Sequence, residues 1–307
     1  MDSIFMRAVR ARTDAAIASG DLQPLVADQI VIHDGGLPFA IRWAATLTVK
    51  NAVKASAASA TPLPGGPRDP NFNPFLPPDP ALTVGPLGTQ HNAVLNKFPV
   101  CLHHLVLARR EFAEQLSPLE PADFLALATV ISDAGGLGFY NGGAAAGASQ
   151  RHKHVQWIPA AEGNASLRHF GKGLPAATAS GALARHPGLP MQHCFVRVEA
   201  ERGCDATAAA QAMHEAFSRA CSKLGLIPDA DGLLPPCNML VGDGWMLVLP
   251  RRCEHFEGVS LNALSYGGTI YVREPAQIEA LRAAGPIVAL ASAGIAEPAS
   301  IGLQARG

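Results

Sequence analysis

The sequence predicts an α+β fold made of two antiparallel-sheet halves with flanking helices. In both halves, short strand-like runs come in neighbouring pairs that single helices accompany, which differs from the regular strand-helix alternation of parallel α/β folds. The 307 residues are 48% hydrophobic and 16% charged, so the chain can bury a substantial core. A loose Gly- and Pro-bearing segment separates the halves. We therefore predict an N-terminal half at 1–165, a connector at 166–190 and a C-terminal half at 191–307.

The N-terminal half begins with an amphipathic segment and two strand-like runs. MDSIFMRAVRARTDAAIASG predicts a first helix, and DQIVIHD and FAIRWAATLTVK predict strands that end near Lys50. Residues 55–88 then carry nine prolines between Pro62 and Pro86. Because proline removes a backbone donor, we expect a surface loop without a regular ladder in this segment.

Regular structure is predicted again after this loop. AVLNKFPV and LVLARREF read as strands, and SPLEPADFLALATVISDAGG as a helix. Pro121 suits the first helical turn, Asp123 complements the positive end of the helix, and Gly135 ends it. GFYNGG and HKHVQWIP follow as two strands joined by a turn of Gly, Ala and Ser.

The C-terminal half repeats the order of strand, helix and strand pair. HCFVRVEA predicts a strand, and a helix should run from Asp205 to Leu224 and end at Gly225. CNMLV, GWMLVLPRR and GGTIYVR read as strands, and a helix follows from Pro275.

Composition and charge argue against several classes of protein. A net charge of -1 and a pI near 6.8 lack the excess of Lys and Arg that nucleic acids or anionic membranes require. The six cysteines are scattered without a C-x-x-C pair, so we expect reduced thiols and no disulfide framework. Without an 18-residue apolar run, no membrane span is expected. A cytoplasmic enzyme or binding protein is predicted.

The motif HKHVQ places His152, His154 and Gln156 on one face of a strand and Lys153 on the other. Three interpretations are open. The histidines could have no chemical role, or they could ligate a metal, although a carboxylate or third histidine is then usual. A neutral imidazole could also attack phosphorus and form a phosphoramidate.

The run GGAAAGASQ before the motif has few side chains that obstruct the main chain. Its successive N–H groups could surround phosphate oxygens, and Ser149 and Gln150 could add side-chain donors. The same composition also suits a flexible turn. Turn and histidine motif together favour phosphate chemistry over either feature alone.

Several blocks resemble one family in its order along the chain, from about residue 40 to 275. They are LNKFPV, His104, EF (Glu111 and Phe112), SPLEPAD, FYNGG, GASQRHKHVQ, CNML, WMLVLPR and NALSYGG. This pattern resembles the diadenosine tetraphosphate (Ap4A) phosphorylases, or ATP adenylyltransferases, of the histidine-triad and galactose-1-phosphate uridylyltransferase superfamily. The resemblance implies a duplicated histidine-triad architecture and the reaction of Ap4A with phosphate to ADP and ATP, which is reversible.

The resemblance also implies roles for individual residues. His154 would carry AMP covalently, Gln156 would hydrogen-bond the adenylyl phosphate, and His152 would support the nucleophile or contact phosphate. The substrate contacts implied are Lys50, Asn96, Lys97, Asn141, Gly147, Ala148, Ser149, Gln150, Asn262, Tyr266, Gly267, Thr269 and Arg273. At Arg273 the family has Lys and at Thr269 a larger residue, so the geometry there differs. No tightly bound cofactor or protein metal site is implied, and Mg²⁺ could arrive with the polyphosphate.

Other functions stay open at this point. One is a sugar-phosphate nucleotidylyltransferase of the same superfamily, against which the lack of clustered Cys and His ligands and the NKFPV and SPLEPAD blocks argue. Another is a non-catalytic nucleotide sensor, and a third is a metal enzyme built on the H-x-H motif. The oligomeric state and the preferred base and phosphate number are left open too.

Overall fold

The computed structural model describes residues 3–23, 27–44, 73–175 and 178–297. The helices are α1 (Ile4–Ser19), α2 (Pro121–Ala134), α3 (Arg168–Gly171), α4 (Ala206–Leu224), α5 (Ala263–Tyr266), α6 (Pro275–Ala284) and α7 (Pro286–Ala293), with a 3-10 turn at Ala144–Ala146. The strands before α4 are β1 (Ala27–Asp34), β2 (Leu37–Ala44), β3 (Thr83–Leu87), β4 (His91–Leu95), β5 (Leu105–Arg109), β6 (Leu137–Gly142), β7 (His154–Ile158), β8 (Leu183–Ala184) and β9 (Cys194–Arg197). The strands after α4 are β10 (Cys237–Gly242), β11 (Trp245–Pro250), β12 (His255–Phe256), β13 (Val259–Ser260) and β14 (Thr269–Val272).

One nine-stranded sheet runs through both halves of the chain. Its order is β3-β4-β5-β7-β6-β10-β11-β9-β8, and every neighbouring pair is antiparallel. The halves meet at the pairing of β6 with β10, from Gly138 opposite Val241 to Gly142 opposite Cys237. The predicted α+β class with antiparallel sheets and flanking helices is therefore confirmed.

Buried residues form a core on each face of this sheet. On one face, α2 and α4 pack against each other and against the sheet, with Phe124, Phe217 and Trp157 fully enclosed. The other face is covered by the small sheet β1-β2-β14 and the C-terminal helices, around Phe39 and Phe139. Successive strand residues point to opposite faces of the sheet. Because both faces are covered, the central strands are apolar on both sides.

Local capping chemistry explains why the helices begin and end where the sequence predicts. At α2, Pro121 occupies the first turn and Glu120 and Asp123 form a capping box. At α4, the Asp205 carboxylate accepts from the N–H groups of the first turn, and Gly225 ends the helix at a φ of 67°.

The Pro-rich segment differs from the expectation. Residues 73–88 include strand β3, which pairs with β4, so the prediction of no ladder throughout 55–88 is wrong for Thr83–Leu87. Proline lacks a backbone N–H, and it is tolerated in edge strands such as β3, which have a neighbouring strand on one side only. Residues 55–72 and the predicted strand end near Lys50 lie outside the described residues. A second difference is that β14 pairs with β2 in parallel.

All six cysteines are free thiols. Within the four described ranges, no helix is long and apolar enough to cross a membrane.

Candidate active site

Strand β7 presents different chemistry on its two faces. The ring of Phe75 lies 5.3 Å from the ring of His154 and 5.7 Å from that of His152, so both imidazoles lie on one side. Lys153 lies on the other side, where its Nζ is 3.0 Å from a carboxylate oxygen of Asp123. The predicted alternation therefore holds, although the strand begins at His154, and His152 precedes it in an isolated bridge with Glu114.

The hydrogen bonds of His154 define which ring nitrogen carries the proton. Nδ1 lies 2.8 Å from the carbonyl oxygen of His152. Because a carbonyl only accepts, Nδ1 must carry the hydrogen, and Nε2 keeps its lone pair. Burial lowers the pKa of His154 to about 4, against a smaller raising effect of this hydrogen bond. The side chain is thus a neutral imidazole at physiological pH, and the lone pair on Nε2 has the chemistry of a nucleophile.

Gln156 is oriented by a third histidine. Its Oε1 is 2.9 Å from His104 Nε2, and its Nε2 is 3.5 Å from His154 Nε2. The backbone N–H of Val100 points at His104 Nδ1 across 3.4 Å, which leaves Nε2 of His104 as the protonated nitrogen. The amide of Gln156 therefore directs its NH₂ group toward the lone pair of His154. Burial also lowers the pKa of His104 to about 4, so this ring is neutral too.

His152 has both ring nitrogens bonded to protein groups. Nδ1 accepts from the amide Nδ2 of Asn73 at 2.9 Å, and Nε2 donates to the carbonyl of Arg109 at 2.7 Å. Its own carbonyl holds the ring of His154. Both ring nitrogens of His152 are thus occupied by protein groups, and its supporting role stays a prediction.

Lys153 and Asp123 form a buried ion pair on the face of β7 opposite to His154. Both side chains are 1% exposed. The Asp123 carboxylate also accepts from Arg109 Nε at 2.8 Å and from His91 Nε2 at 2.9 Å. Burial raises the pKa of Asp123, but the hydrogen bonds from His91 and Arg109 and the charge of Lys153 outweigh this effect. The pKa of Asp123 therefore lies well below its usual range, and the carboxyl group is ionised.

Asn141 on β6 lies at the seam between the halves. Its Oδ1 accepts from Asn238 Nδ2 and from the backbone N–H of Ala263, each at 2.9 Å. Since a backbone N–H can only donate, the oxygen is identified without ambiguity. The NH₂ group of Asn141 has no hydrogen-bond partner in the described part of the chain, and it is therefore available to a ligand.

The Gly/Ala/Ser turn is less open than the sequence suggests. The N–H groups of Ala146, Gly147 and Ala148 all donate to carbonyls of Gly143 or Ala144 within the turn. Among the described residues, the N–H groups of Ser149 and Gln150 take no such bond. The expected cradle of successive N–H groups is thus reduced to the end of the turn.

The remaining predicted contacts fall into three groups. Asn262 caps α5 through Leu264 N at 3.0 Å and touches the turn, since a side chain at Gly147 would come within 2.8 Å of its Cβ. Asn96 lies beside His104, because its N–H donates to the His104 carbonyl, and the neighbouring Lys97 is exposed.

The third group consists of residues from α5 to the end of β14, most of which make contacts inside the protein. Tyr266 donates its hydroxyl to Leu290 and lies under the guanidinium of Arg251, whereas Thr269 is buried in β14. Gly267 accepts from Ser166, and Arg273 is exposed after β14. Their contacts with substrate stay predictions, as does that of Lys50, which lies outside the described residues.

Sequence reasoning assigned no role to several residues of the site. Asn73 and Phe75 reach it from the Pro-rich segment, and Gln115 from the loop before α2. Asn238 stands in the CNML block that carried the resemblance, so its part in the site had a sequence signal.

Both halves of the chain match models of known protein families. Residues 1–169 match the family model of the Ap4A phosphorylase N-terminal domain, and residues 187–296 match the ATP adenylyltransferase C-terminal domain. Diadenosine 5',5'''-P1,P4-tetraphosphate phosphorylase 2 of Saccharomyces cerevisiae is 36% identical over 98 residues, which are 27% of this chain and 30% of that protein. Protein APA1 of the same yeast is 38% identical over 96 residues, again 27% and 30%. These matches therefore span less than a third of the curated relatives.

The likeness of the folds extends over nearly the whole chain. The crystal structure of yeast Ap4A phosphorylase Apa2 has a TM-score of 0.73 at 22% identity, covering 98% of this chain and 97% of that one. The same yeast protein in complex with Ap4A has a TM-score of 0.74 at 21% identity, covering 97% and 100%. At this identity the likeness concerns the fold.

Proposed function

Because the chain belongs to the Ap4A phosphorylase family, we propose that it cleaves Ap4A with phosphate to ADP and ATP, and catalyses the reverse reaction. The observation that carries this proposal is the unprotonated Nε2 of His154, which a backbone carbonyl bonded to Nδ1 enforces. A metal-dependent alternative has less support, since no group of three or more His, Cys, Asp or Glu side chains within the described residues could hold a metal ion. The free cysteines support the predicted cytoplasmic location.

The first step forms the covalent intermediate. The lone pair of His154 Nε2 attacks the phosphorus next to one adenosine, the bond from that phosphorus to the bridging oxygen breaks, and ATP leaves with the electron pair. The terminal phosphate of ATP has a second pKa of about 6, so its departure needs little help from a general acid. A neutral amide suffices beside the nucleophile, and Gln156 directs its NH₂ there.

The second step transfers AMP to phosphate. A phosphate oxygen forms the new bond to phosphorus, the P–N bond breaks, and its electron pair returns to Nε2 of His154, giving ADP. The NH₂ group of Asn141 and the N–H groups of Ser149 and Gln150 are suited to hold phosphate oxygens in both steps. Mg²⁺ bound to the polyphosphate would neutralise further charge.

The decisive test is adduct formation without phosphate. Wild-type protein incubated with Ap4A labelled at the adenosine-linked phosphorus should acquire an acid-labile label, and added phosphate should release it as ADP. His154→Ala should lose the label completely. Its matched control is His33→Ala, because His33 is exposed on β1. Lys153→Ala is unsuitable as a control because Lys153 is buried against Asp123.

Each alternative outcome excludes a specific reading. A label retained by His154→Ala would refute the mechanism. Ap4A binding without any label in the wild type would favour the nucleotide sensor, and labelling by a nucleoside diphosphate sugar but not by Ap4A would favour the sugar-phosphate enzyme.

A further inference from the structure

The ladder between β6 and β7 stops just before the nucleophile. Its last pair is Phe139 opposite Gln156. Continued by two residues, the same register would place Asn141 opposite His154, and directly opposite residues share one face of a sheet. The side chains of Asn141 and His154 therefore point to the same side, from two strands that have begun to separate. This opening between the strands is called the fork below.

The side chain of Gln115 fills the fork. Its Oε1 accepts from the backbone N–H of His154 at 2.8 Å. Its Nε2 donates to the carbonyl of Asn141 at 2.9 Å and to the carbonyl of His154 at 3.0 Å. The Gln115 amide thus stands between the N–H of His154 and the carbonyl of Asn141, two groups that a continued ladder would bring together.

Gln115 is itself held rigidly. Its side chain is 3% exposed, its N–H donates to Arg151 at 2.7 Å, and its carbonyl accepts from the Tyr140 hydroxyl. The neighbouring Ala113 carbonyl accepts from Lys153 N–H at 2.9 Å. The segment 113–115 therefore pairs with residues 151–153 just before β7, so backbone groups there are hydrogen-bonded although the ladder with β6 has ended.

We propose that Gln115 is a positioning residue that sets the spacing between His154 and Asn141, so that both groups act on the same phosphate. This inference rests on the proposed function. In that reaction Nε2 of His154 bonds to phosphorus while the NH₂ of Asn141 holds one of its oxygens. The Gln115 amide hydrogen-bonds the main chains of both His154 and Asn141. A change at Gln115 therefore alters the distance between these two side chains without removing either one.

Gln115→Glu is the sharpest perturbation because it keeps the shape. Glutamate can still accept from His154 N–H, but as a carboxylate it donates nothing and faces the carbonyls of Asn141 and His154. At pH 8 and saturating Ap4A, adduct formation should slow by about 10-fold to 100-fold, as expected for a nucleophile misplaced by a fraction of an ångström to 1 Å. The dissociation constant of AMP should change by less than threefold.

The pH profile separates positioning from a general loss of structure. Lowering the pH protonates the buried carboxyl and restores one O–H donor, so Gln115→Glu should regain at least threefold in adduct formation between pH 8 and pH 6. Gln115→Met has no such group and should stay slow at both pH values. Gln211→Glu makes the same chemical change on the exposed surface of α4 and serves as the control.

A second readout does not depend on activity. In Gln115→Met the His154 N–H loses its acceptor, so its hydrogen exchange should accelerate by at least tenfold relative to wild type. If Gln115→Met leaves this exchange unchanged, or Gln115→Glu forms adduct within twofold of wild type at pH 8, the inference is overturned. A loss found only in AMP affinity overturns it as well. If the wild type itself forms no adduct, the proposed function fails first and takes this role with it, whatever the exchange data show.

Discussion

Replacing Asp123 with asparagine should destabilise the protein strongly, because every group around this carboxylate is a donor. One oxygen accepts from His91 Nε2 at 2.9 Å and Arg109 Nε at 2.8 Å. The other accepts from Glu120 N at 2.8 Å and lies 3.0 Å from Lys153 Nζ. Asparagine has the same shape, but its NH₂ group must face at least two of these donors in either orientation.

The magnitude follows from burial. Lys153 and Asp123 are both 1% exposed, so water cannot replace the lost partner. Removing one member of such a buried pair typically costs about 3–5 kcal/mol. For unfolding in urea this corresponds to a midpoint lowered by about 1–2 M. Asp231→Asn, on the exposed loop before β10, should change the free energy of unfolding by less than about 0.5 kcal/mol.

The difference between wild type and Asp123→Asn should also depend on pH. The pKa of Asp123 is lowered in the folded protein, so its stabilising effect is complete above the ordinary value of about 3.9. It decreases as the pH falls from there toward the lower folded-state pKa. The difference in unfolding free energy should therefore be smaller at pH 3 than at pH 7. A cost below about 1 kcal/mol at pH 7 would refute the reasoning, since surface ion pairs contribute no more than that.

Two further predictions concern access to the nucleophile and its protonation. Because burial lowers the pKa of His154 to about 4, the rate of adduct formation should stay nearly constant from pH 8 to about pH 5.5, with folding monitored by circular dichroism. A decline centred near pH 6.5 would show an ordinary imidazole instead. Phe75 packs on His154 and, within the described ranges, forms a small buried cluster with Val106 and Ala108, so Phe75→Ala should increase modification of His154 by diethylpyrocarbonate several-fold. Phe112→Ala is the matched control, since Phe112 is half-exposed and its ring lies 5.7 Å from the ring of His152; equal rates in both variants would contradict the interpretation of Phe75 as a cover.

Features that depend on neighbouring residues could be predicted from the sequence. The boundaries at Pro121, Asp205 and Gly225 follow from capping groups within one helical turn. The shared face of His154 and Gln156 follows from the two-residue period of a strand.

Features that depend on distant pairing could not be predicted in this way. Lysine side chains are rarely buried unless paired, and Asp123, thirty positions away, makes the burial of Lys153 possible. Nothing local marks Gln115 as the partner of the His154 backbone. The sequence predicts Pro86 as a loop residue, and only the strand order shows that it lies in an edge strand.

The pairing of β6 with β10 has a consequence for dividing this chain. Each of these strands has six buried residues, and producing either half alone would leave its strand as an open, largely apolar edge that favours aggregation. The C-terminal half also supplies Asn238 and Ala263, which hold the oxygen of Asn141. The C-terminal half thus fixes the position of a side chain that belongs to the N-terminal half. Fragments or chimaeras that keep HKHVQ but exchange the other half would keep His154 and lose the contacts that fix the amide of Asn141.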